Sequence, residues 1–367
     1  MLLGDVLQAN RYKTNGFDYL RLVLAAGVII FHGYTVTHGK DQLQALQHPV
    51  WKLVVGPILP LFFALSGFLV YGSLMRCTSL ISFLGYRVLR IFPALVCEVV
   101  LSALILGPVF TVLPLQEYFG SSTFYNYFLN LIGWIHYELP GVFLDNPQPG
   151  RINGQLWTIP YELHCYILLS LLTVTGLALR RHYFLVAIVA MQVALVAVVL
   201  ASPAKDHTGK MLLLAFCFGA LIRAQADVIK LSGWYFLVSL ALMGVALLVP
   251  AAQWLLPAPA AYAAAYVGVT QPRKPGFLFS GDYSYGMYLY GYPIQQMLVV
   301  LLPAAAWYSN AALALVLAFA VAHLSWYLVE KPTLALKPRV DRLEGNMLAK
   351  MPAWFSALWM CRRPQAT

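Results

Sequence analysis

The sequence predicts an all-α, polytopic transmembrane helical bundle of about ten spans with both termini cytoplasmic. Three observations predict it. Of 367 residues, 60% are hydrophobic and only 10% charged, against roughly 25% charged in soluble domains. A water-soluble fold of that composition would have too little polar surface to cover itself. Apolar runs near the ~20 residues that a spanning helix needs recur through almost the whole chain. The basic residues, finally, fall in short clusters between those runs, as topology signals do.

The runs lie at 17–37, 53–75, 91–114, 157–179, 183–201, 210–224, 233–250, 258–270, 284–303 and 308–330. The first keeps Asp18, Arg21 and His32 inside it, so we read it as a retained helix and not a cleaved leader. An aromatic stretch at 122–138, containing FYNYFLNLIGWIHYE, has three readings: interfacial helix, re-entrant segment or eleventh span. With that stretch kept outside, Arg11/Lys13, Arg76/Arg87/Arg90, Arg180/Arg181, Arg223/Lys230, Arg273/Lys274 and the tail after Glu330 share the cytoplasmic side. That places about eighteen basic residues inside and about five outside. An extra span there would invert every later loop. The expected organisation is therefore one membrane domain over 1–335 and a basic cytoplasmic tail over 336–367. Trp354, Phe355 and Trp359 suit the tail to an anionic lipid surface.

The net charge of +10 is not gathered into a patch with interleaved aromatics, so no nucleic-acid partner is expected. Cys77, Cys97, Cys165, Cys217 and Cys361 are odd in number and lack CxxC spacing, which points to neither a disulfide framework nor a metal site. The outer loop at about 115–156, with NPQPGRINGQ and many aromatics, suits a carbohydrate surface. It equally suits an ordinary interfacial belt.

Ionisable groups within spans are costly and mark function. In GFDYLRLVLAAGVIIFHGY, Arg21 and His32 are eleven residues apart and so share one helix face, with Asp18 a turn before Arg21. Histidine suits proton transfer near neutral pH, although a hydrogen-bonded bundle histidine has the same appearance. In YRVLRIFP, Arg87 and Arg90 sit one turn apart at the expected cytoplasmic end of the third span. Two guanidiniums on one face can clamp phosphate oxygens; they can also serve only as topology signals. In LWTIPYELHCY, Trp157 precedes Glu162, placed at about the depth of His32, where a carboxylate would orient an imidazole. In GDYSYGMYLYGYP, Asp282 and Ser284 are expected N-cap groups. Tyr283, Tyr285, Tyr288, Tyr290 and Tyr292 either line a polar route or pack.

Together and in this order, these segments resemble the acyltransferase-3 family of integral membrane acyltransferases over nearly the full chain. The resemblance rests on Arg21 with His32, Arg87/Arg90 with Ile91-Phe92-Pro93, Trp157-Thr158 with Glu162, Ser284-Tyr285 with Tyr288-Leu289, and the closing WYLVEKP with Glu330 and Pro332. One departure stands out: Gly291-Tyr292-Pro293 lacks the histidine that the family often has before this proline, which leaves His32 as the proton-transfer group. The resemblance implies acyl transfer from cytoplasmic acyl-CoA, with acetyl-CoA the first choice, to a hydroxyl of a polysaccharide or lipid-linked glycan such as an O-antigen or exopolysaccharide. It implies a multi-pass protein of a bacterial inner membrane, in contact with its lipids, with no tightly bound cofactor. His32 and Glu162 are the expected catalytic residues, and Arg21, Arg87 and Arg90 the expected acyl-CoA ligands. Asp18, Trp157, Asp282, Ser284, Tyr285 and Tyr288 are the expected substrate contacts. The chain is expected to lack the extra esterase-like domain of some relatives. The competing class is a transporter or flippase for a polar solute or glycolipid, which also needs buried charge within many spans.

Overall fold

The computed structural model describes residues 1–39, 48–202 and 205–350. Among these the backbone is helical without strands, save isolated bridges at Leu2–Lys230 and Thr111–Val142. Trp354, Phe355, Trp359 and Cys361, on which the lipid-surface reading of the tail depends, lie outside the described residues.

A short helix α1 (Leu3–Ala9) precedes α2 (Gly16–His38), which Gly39 ends in a left-handed turn with φ 74. Then come α3 (Pro49–Val55), α4 (Ile58–Leu74) and α5 (Leu80–Leu101). After the long connection follow α6 (Thr158–Val174), α7 (Arg181–Ala201), α8 (Thr208–Ala224), α9 (Gly233–Leu248) and α10 (Pro257–Gly268). The chain closes with α11 (Ser284–Leu301), α12 (Trp307–Ser325) and α13 (Lys337–Lys350). Five stretches among the described residues are long and apolar enough to cross a membrane: Gly16–His38, Pro49–Leu74, Leu80–Phe110, Arg181–Ala201 and Trp307–Lys350.

The third run starts earlier than its hydropathy indicates, at Leu80 and not near 91. Ser79 caps it, its hydroxyl accepting from the Ile81 and Ser82 amides at 3.0 and 3.4 Å. The first turns look polar in sequence because they face α13. Ser82 and Tyr86 donate to Asp341, and Ser82 and Thr78 donate to Glu344. Arg87 and Arg90 consequently lie inside a helix and not at its end. The stretch at 122–138 forms no spanning helix. It holds a six-residue helix, Ser122–Tyr127, and a 3-10 turn, Phe128–Ile132, each far below the length of a span. Asn130 ties this loop together by donating to the carbonyls of Tyr127 and His136 at 2.7 and 2.8 Å.

Small residues let the helices approach closely. A Cβ on Gly67 of α4 would fall 1.9 Å from the Phe216 carbonyl oxygen, and one on Gly219 of α8 would fall 1.9 Å from that of Ala64. Three apolar clusters result among the described residues, the smallest of them around Met243, Leu256 and Ala260, and the two larger ones matter for the site. One gathers Phe63, Phe68, Tyr166, Leu212 and Phe216; the other gathers Ile29, Leu95, Val99, Tyr127 and Leu289. Leu163 and Tyr285 pack against both, so the boundary between the two cores passes through α6 and the start of α11.

Helices α2 and α11 run side by side in the same direction. Arg21 meets Asp282 at one end, the Gln295 amide donates to the Ile29 carbonyl at 2.6 Å midway, and His32 meets Tyr292 beyond the ion pair.

Candidate functional site

Three arginines enter the space between the cores from two helices. Arg21 comes from α2; Arg87 and Arg90 come from α5, one turn apart. Asp282, just before α11, takes Arg21 at 2.7 Å and Arg90 at 2.6 Å through the same carboxylate oxygen. Its other oxygen accepts from the Ser284 hydroxyl at 2.7 Å. Arg90 also holds Glu330 at 3.1 Å, in the π-helical turn Trp326–Glu330 that follows α12. One guanidinium thus joins the middle of α5 and the start of α11 to the end of α12. Burial works to raise the Asp282 carboxyl, but the charges of Arg90 and Arg21 more than reverse this and hold it well below the usual carboxylate range.

Arg87 differs from its neighbours. Among the described residues no carboxylate lies within ion-pair distance of it. It donates to the Ser73 hydroxyl at 3.2 Å, and its Nε is buried without a partner. Leaving such a buried N–H unpaired has a cost, although the residue as a whole is half-buried.

All three arginines line a cavity of about 150 Å³ with Glu162, Tyr166 and Tyr288. Glu162 accepts a hydrogen bond from Tyr166, one turn on along α6. This corrects the expected pairing of Glu162 with His32. Glu162 makes no hydrogen bond or ion pair to the imidazole, because α6 carries it down from the long loop to face the arginines. At the far end Tyr288 and Thr158 close the cavity, their hydroxyls 2.5 Å apart. The Gln155 side chain also donates to the Tyr288 carbonyl at 2.6 Å.

His32 is not part of that lining. It sits one helical turn beyond Tyr288, edge-on to Tyr292 with ring centroids 5.0 Å apart, and its Nδ1 is 3.4 Å from the Thr35 hydroxyl. The positive charge that acts on both His32 and Tyr292 is Arg151, from the long loop, whose guanidinium lies 4.8 Å from the Tyr137 ring.

The other expected contacts divide. Ser284, Tyr285 and Tyr288 line the cavity, and the Tyr285 hydroxyl donates to the Ile91 carbonyl at 3.0 Å. Asp18 lies outside it, in an ion pair with Lys274 and 3.9 Å from Arg21. Trp157 packs edge-on against Tyr161 and does not reach it. Asp282 and Ser284 do not cap α11 as expected. Tyr283 occupies the cap position without a side-chain cap bond, and the second Asp282 oxygen is taken by the Ser284 hydroxyl.

Three contributors escaped the sequence. Glu330, 240 residues from Arg90 along the chain, is its second anion. Arg151 is one charge in a loop of small polar residues. Glu98, buried in α5, accepts from Ser102 at 2.9 Å and from Asn153 at 3.0 Å, and Asn153 donates on to the Leu289 carbonyl at 2.8 Å. A lone carboxylate in an apolar run was the available signal for this last one, and it pins the long loop between α5 and α11.

Comparison with known proteins gives one family match and two clear relatives. A family described as an acyltransferase domain matches residues 14–330. An O-acetyl transferase of Shigella phage Sf6 is 28% identical over 346 residues, covering 87% of this chain and 96% of the relative. Nodulation protein 10 of Rhizobium leguminosarum bv. viciae is 29% identical over 359 residues, covering 88% and 94%. No solved structure matches the chain.

Proposed function

Since the chain belongs to this acyltransferase family, we propose that it moves an acyl group, acetyl as first choice, from cytoplasmic acyl-CoA to a hydroxyl of an exported glycan. The observation that carries this reading is Arg87, a half-buried guanidinium with no carboxylate partner and an unpartnered Nε, lining a cavity that ends one helical turn short of a histidine. A polyanionic donor would place a phosphate at Arg87, with Arg21 and Arg90 held ready by Asp282 and Glu330. Its acyl-bearing arm would lie along the cavity past Tyr288, once the Thr158–Tyr288 hydrogen bond parts.

Neutral His32 then takes the proton of the acceptor hydroxyl, the oxygen attacks the thioester carbonyl, and the C–S bond breaks. The CoA sulfur leaves and receives the proton from the imidazolium. Arg151 and Tyr137, contributed by the long loop, flank the side from which an acceptor would come. An acyl-histidine intermediate is the covalent variant of the same geometry.

The membrane frame is part of the proposal: about ten spans with both termini cytoplasmic, in a bacterial inner membrane. The five long apolar stretches support it. So do the short helices of 115–156, which leave that connection on one side, and the basic clusters that then gather on the other.

The test is transfer by purified protein in lipid nanodiscs, supplied with radiolabelled acetyl-CoA and a glycan extract. Labelled glycan and free CoA thiol should appear together and vanish in His32→Ala. Solute flux without acyl transfer would replace this reading with the transporter.

A further inference from the structure

A second basic cavity opens beside the first, and both share Arg21 and Leu69 in their walls. Its volume is about 190 Å³, and its cationic lining comes from Lys13, Arg21, Arg76 and Arg223. Two of its walls have contributions from outside the residues that match the family: Leu7, Tyr12 and Lys13 precede residue 14.

The charge balance there is uneven. Asp18 is the one acid in the lining, and it is engaged by Lys274. Among the described residues Lys13, Arg76 and Arg223 have no carboxylate within ion-pair distance. The acid that acts on Arg223 is Asp227, and it acts from beyond ion-pair range. Like charges brought together without counterions repel, so a surface of this kind stores a preference for an anion.

The aromatic part is built at a conformational cost. Arg11 and Tyr12 both have positive φ, 50 and 60, a region that bulky residues seldom occupy. Hydrogen bonds hold the turn: the Tyr12 amide to the Leu7 carbonyl at 2.7 Å and the Lys13 amide to Asn10 at 2.9 Å. Helix α1 is itself fixed to the segment after α8, through Leu3 to Ile229 at 2.9 Å and Gly4 to Ala226 at 2.8 Å. The outcome is a half-exposed Tyr12 ring with the Arg223 guanidinium 5.1 Å from its centre.

From this we infer that the second cavity seats the nucleotide end of the acyl-CoA donor, its 3′-phosphate on Arg76, Arg223 and Lys13, its diphosphate reaching Arg21 and Arg87 where the two cavities meet, and Tyr12 at the rim as a stacking face for the base. The inference rests on the acyl-CoA reading above and assigns the two ends of the donor to two cavities. Arg21, common to both, stands where they meet. An aromatic ring beside guanidiniums matches a nucleotide better than it matches inorganic phosphate or a lipid headgroup, since it offers a π face to a base.

The test compares two donors in the same nanodisc preparation: acetyl-CoA, and acetyl-pantetheine, which lacks the nucleotide and its phosphates. Arg223→Gln, Arg76→Gln and Tyr12→Ala are each measured with both. Arg76 and Tyr12 are exposed, so at least those two variants are expected to fold, as size-exclusion profiles would check. The expected result is a KM for acetyl-CoA raised tenfold or more, with the KM for acetyl-pantetheine changed by less than twofold. Adenosine 3′,5′-bisphosphate should inhibit the parent protein competitively against acetyl-CoA and lose that effect in Arg223→Gln.

Equal shifts for both donors, or none for either, would overturn the assignment while leaving acyl-CoA as the donor. Inhibition by inorganic phosphate equal to that by the bisphosphate would overturn the nucleotide part. Absence of transfer from acetyl-CoA in the parent protein would instead strike the proposed function itself.

Discussion

Arg87 and Arg90 are a helical turn apart, yet their surroundings assign them opposite consequences. Replacing Arg90 by Gln strands Glu330, at 3.1 Å and with only 2% of its side chain exposed, and leaves Asp282, at 2.6 Å, with Arg21 as its one remaining ion-pair partner among the described residues. Removing one partner from a buried pair costs about 3–5 kcal/mol. Arg90 and Asp282 are 22% and 24% exposed, so water recovers part of this and we take ~2–3 kcal/mol. Arg87 has no carboxylate to strand and one hydrogen bond, to Ser73 at 3.2 Å, so Arg87→Gln should cost ~1 kcal/mol of stability or less. Its loss should appear in binding. A hydrogen bond to a charged group is worth ~1.5–3 kcal/mol, which at 1.4 kcal/mol per decade is about 10–150-fold in donor KM. The assay pairs thermal unfolding in detergent with acetyl-CoA kinetics on both variants. Arg90→Gln should melt well below the parent; Arg87→Gln should melt close to it with the raised KM. If Arg87→Gln melts as low as Arg90→Gln, or keeps its KM within twofold, the division between a structural and a ligand-binding arginine is wrong.

Other expectations follow from the same geometry. His32→Ala should lower turnover by ~10²–10⁴-fold, the usual worth of general-base assistance, while leaving detergent-extracted yield unchanged; turnover within tenfold of the parent would remove His32 from the chemistry. Asp282 is held below its ordinary value, so its ion pairs stabilise the fold above about pH 3.8, the ordinary value for Asp, and lose that effect as pH falls further toward the depressed folded value. Melting temperature followed from pH 6 to pH 3 should therefore fall less steeply at its acid end in Asp282→Asn than in the parent, and identical slopes would contradict the assigned pairing. Gly219→Ala places a methyl 1.9 Å from the Ala64 carbonyl oxygen. It should destabilise the protein by ~1–3 kcal/mol, the typical cost of overpacking, read as a lower melting temperature than for Gly345→Ala, where an added Cβ meets nothing.

Much of the helical order was legible because apolar runs need no partner to declare themselves, and Arg21, Arg90 and Asp282 stood out as charges within or beside such runs. What could not be read was pairing. Glu162 has the right depth to meet His32 along one axis, but rotation about α6 decides which neighbour it faces, and it faces the arginines. Glu330 reads as the end of a helix until α12 is folded back beside α5. The start of α5 was hidden for a different reason. Its polar residues answer Asp341 and Glu344 of a helix more than 250 residues away, so a local hydropathy window scores them as loop. The departure at Gly291 also gains a cause. A Cβ there would stand 2.7 Å from Ile29, so the residue is small because α2 leaves no room.

That contact between α2 and α11 makes the pair of helices a yardstick. Eleven residues of α2 separate Arg21 from His32, a rise of roughly 16 Å, and tight seating at Gly291 and Gly33 prevents one helix from sliding past the other to shorten it. A reagent gripped at the arginines reaches the imidazole only if its reactive carbon hangs on a tether about that long. Under the proposed mechanism, compact acyl phosphates would bind and stay out of reach, and selection among activated acyl groups would fall to length before chemistry.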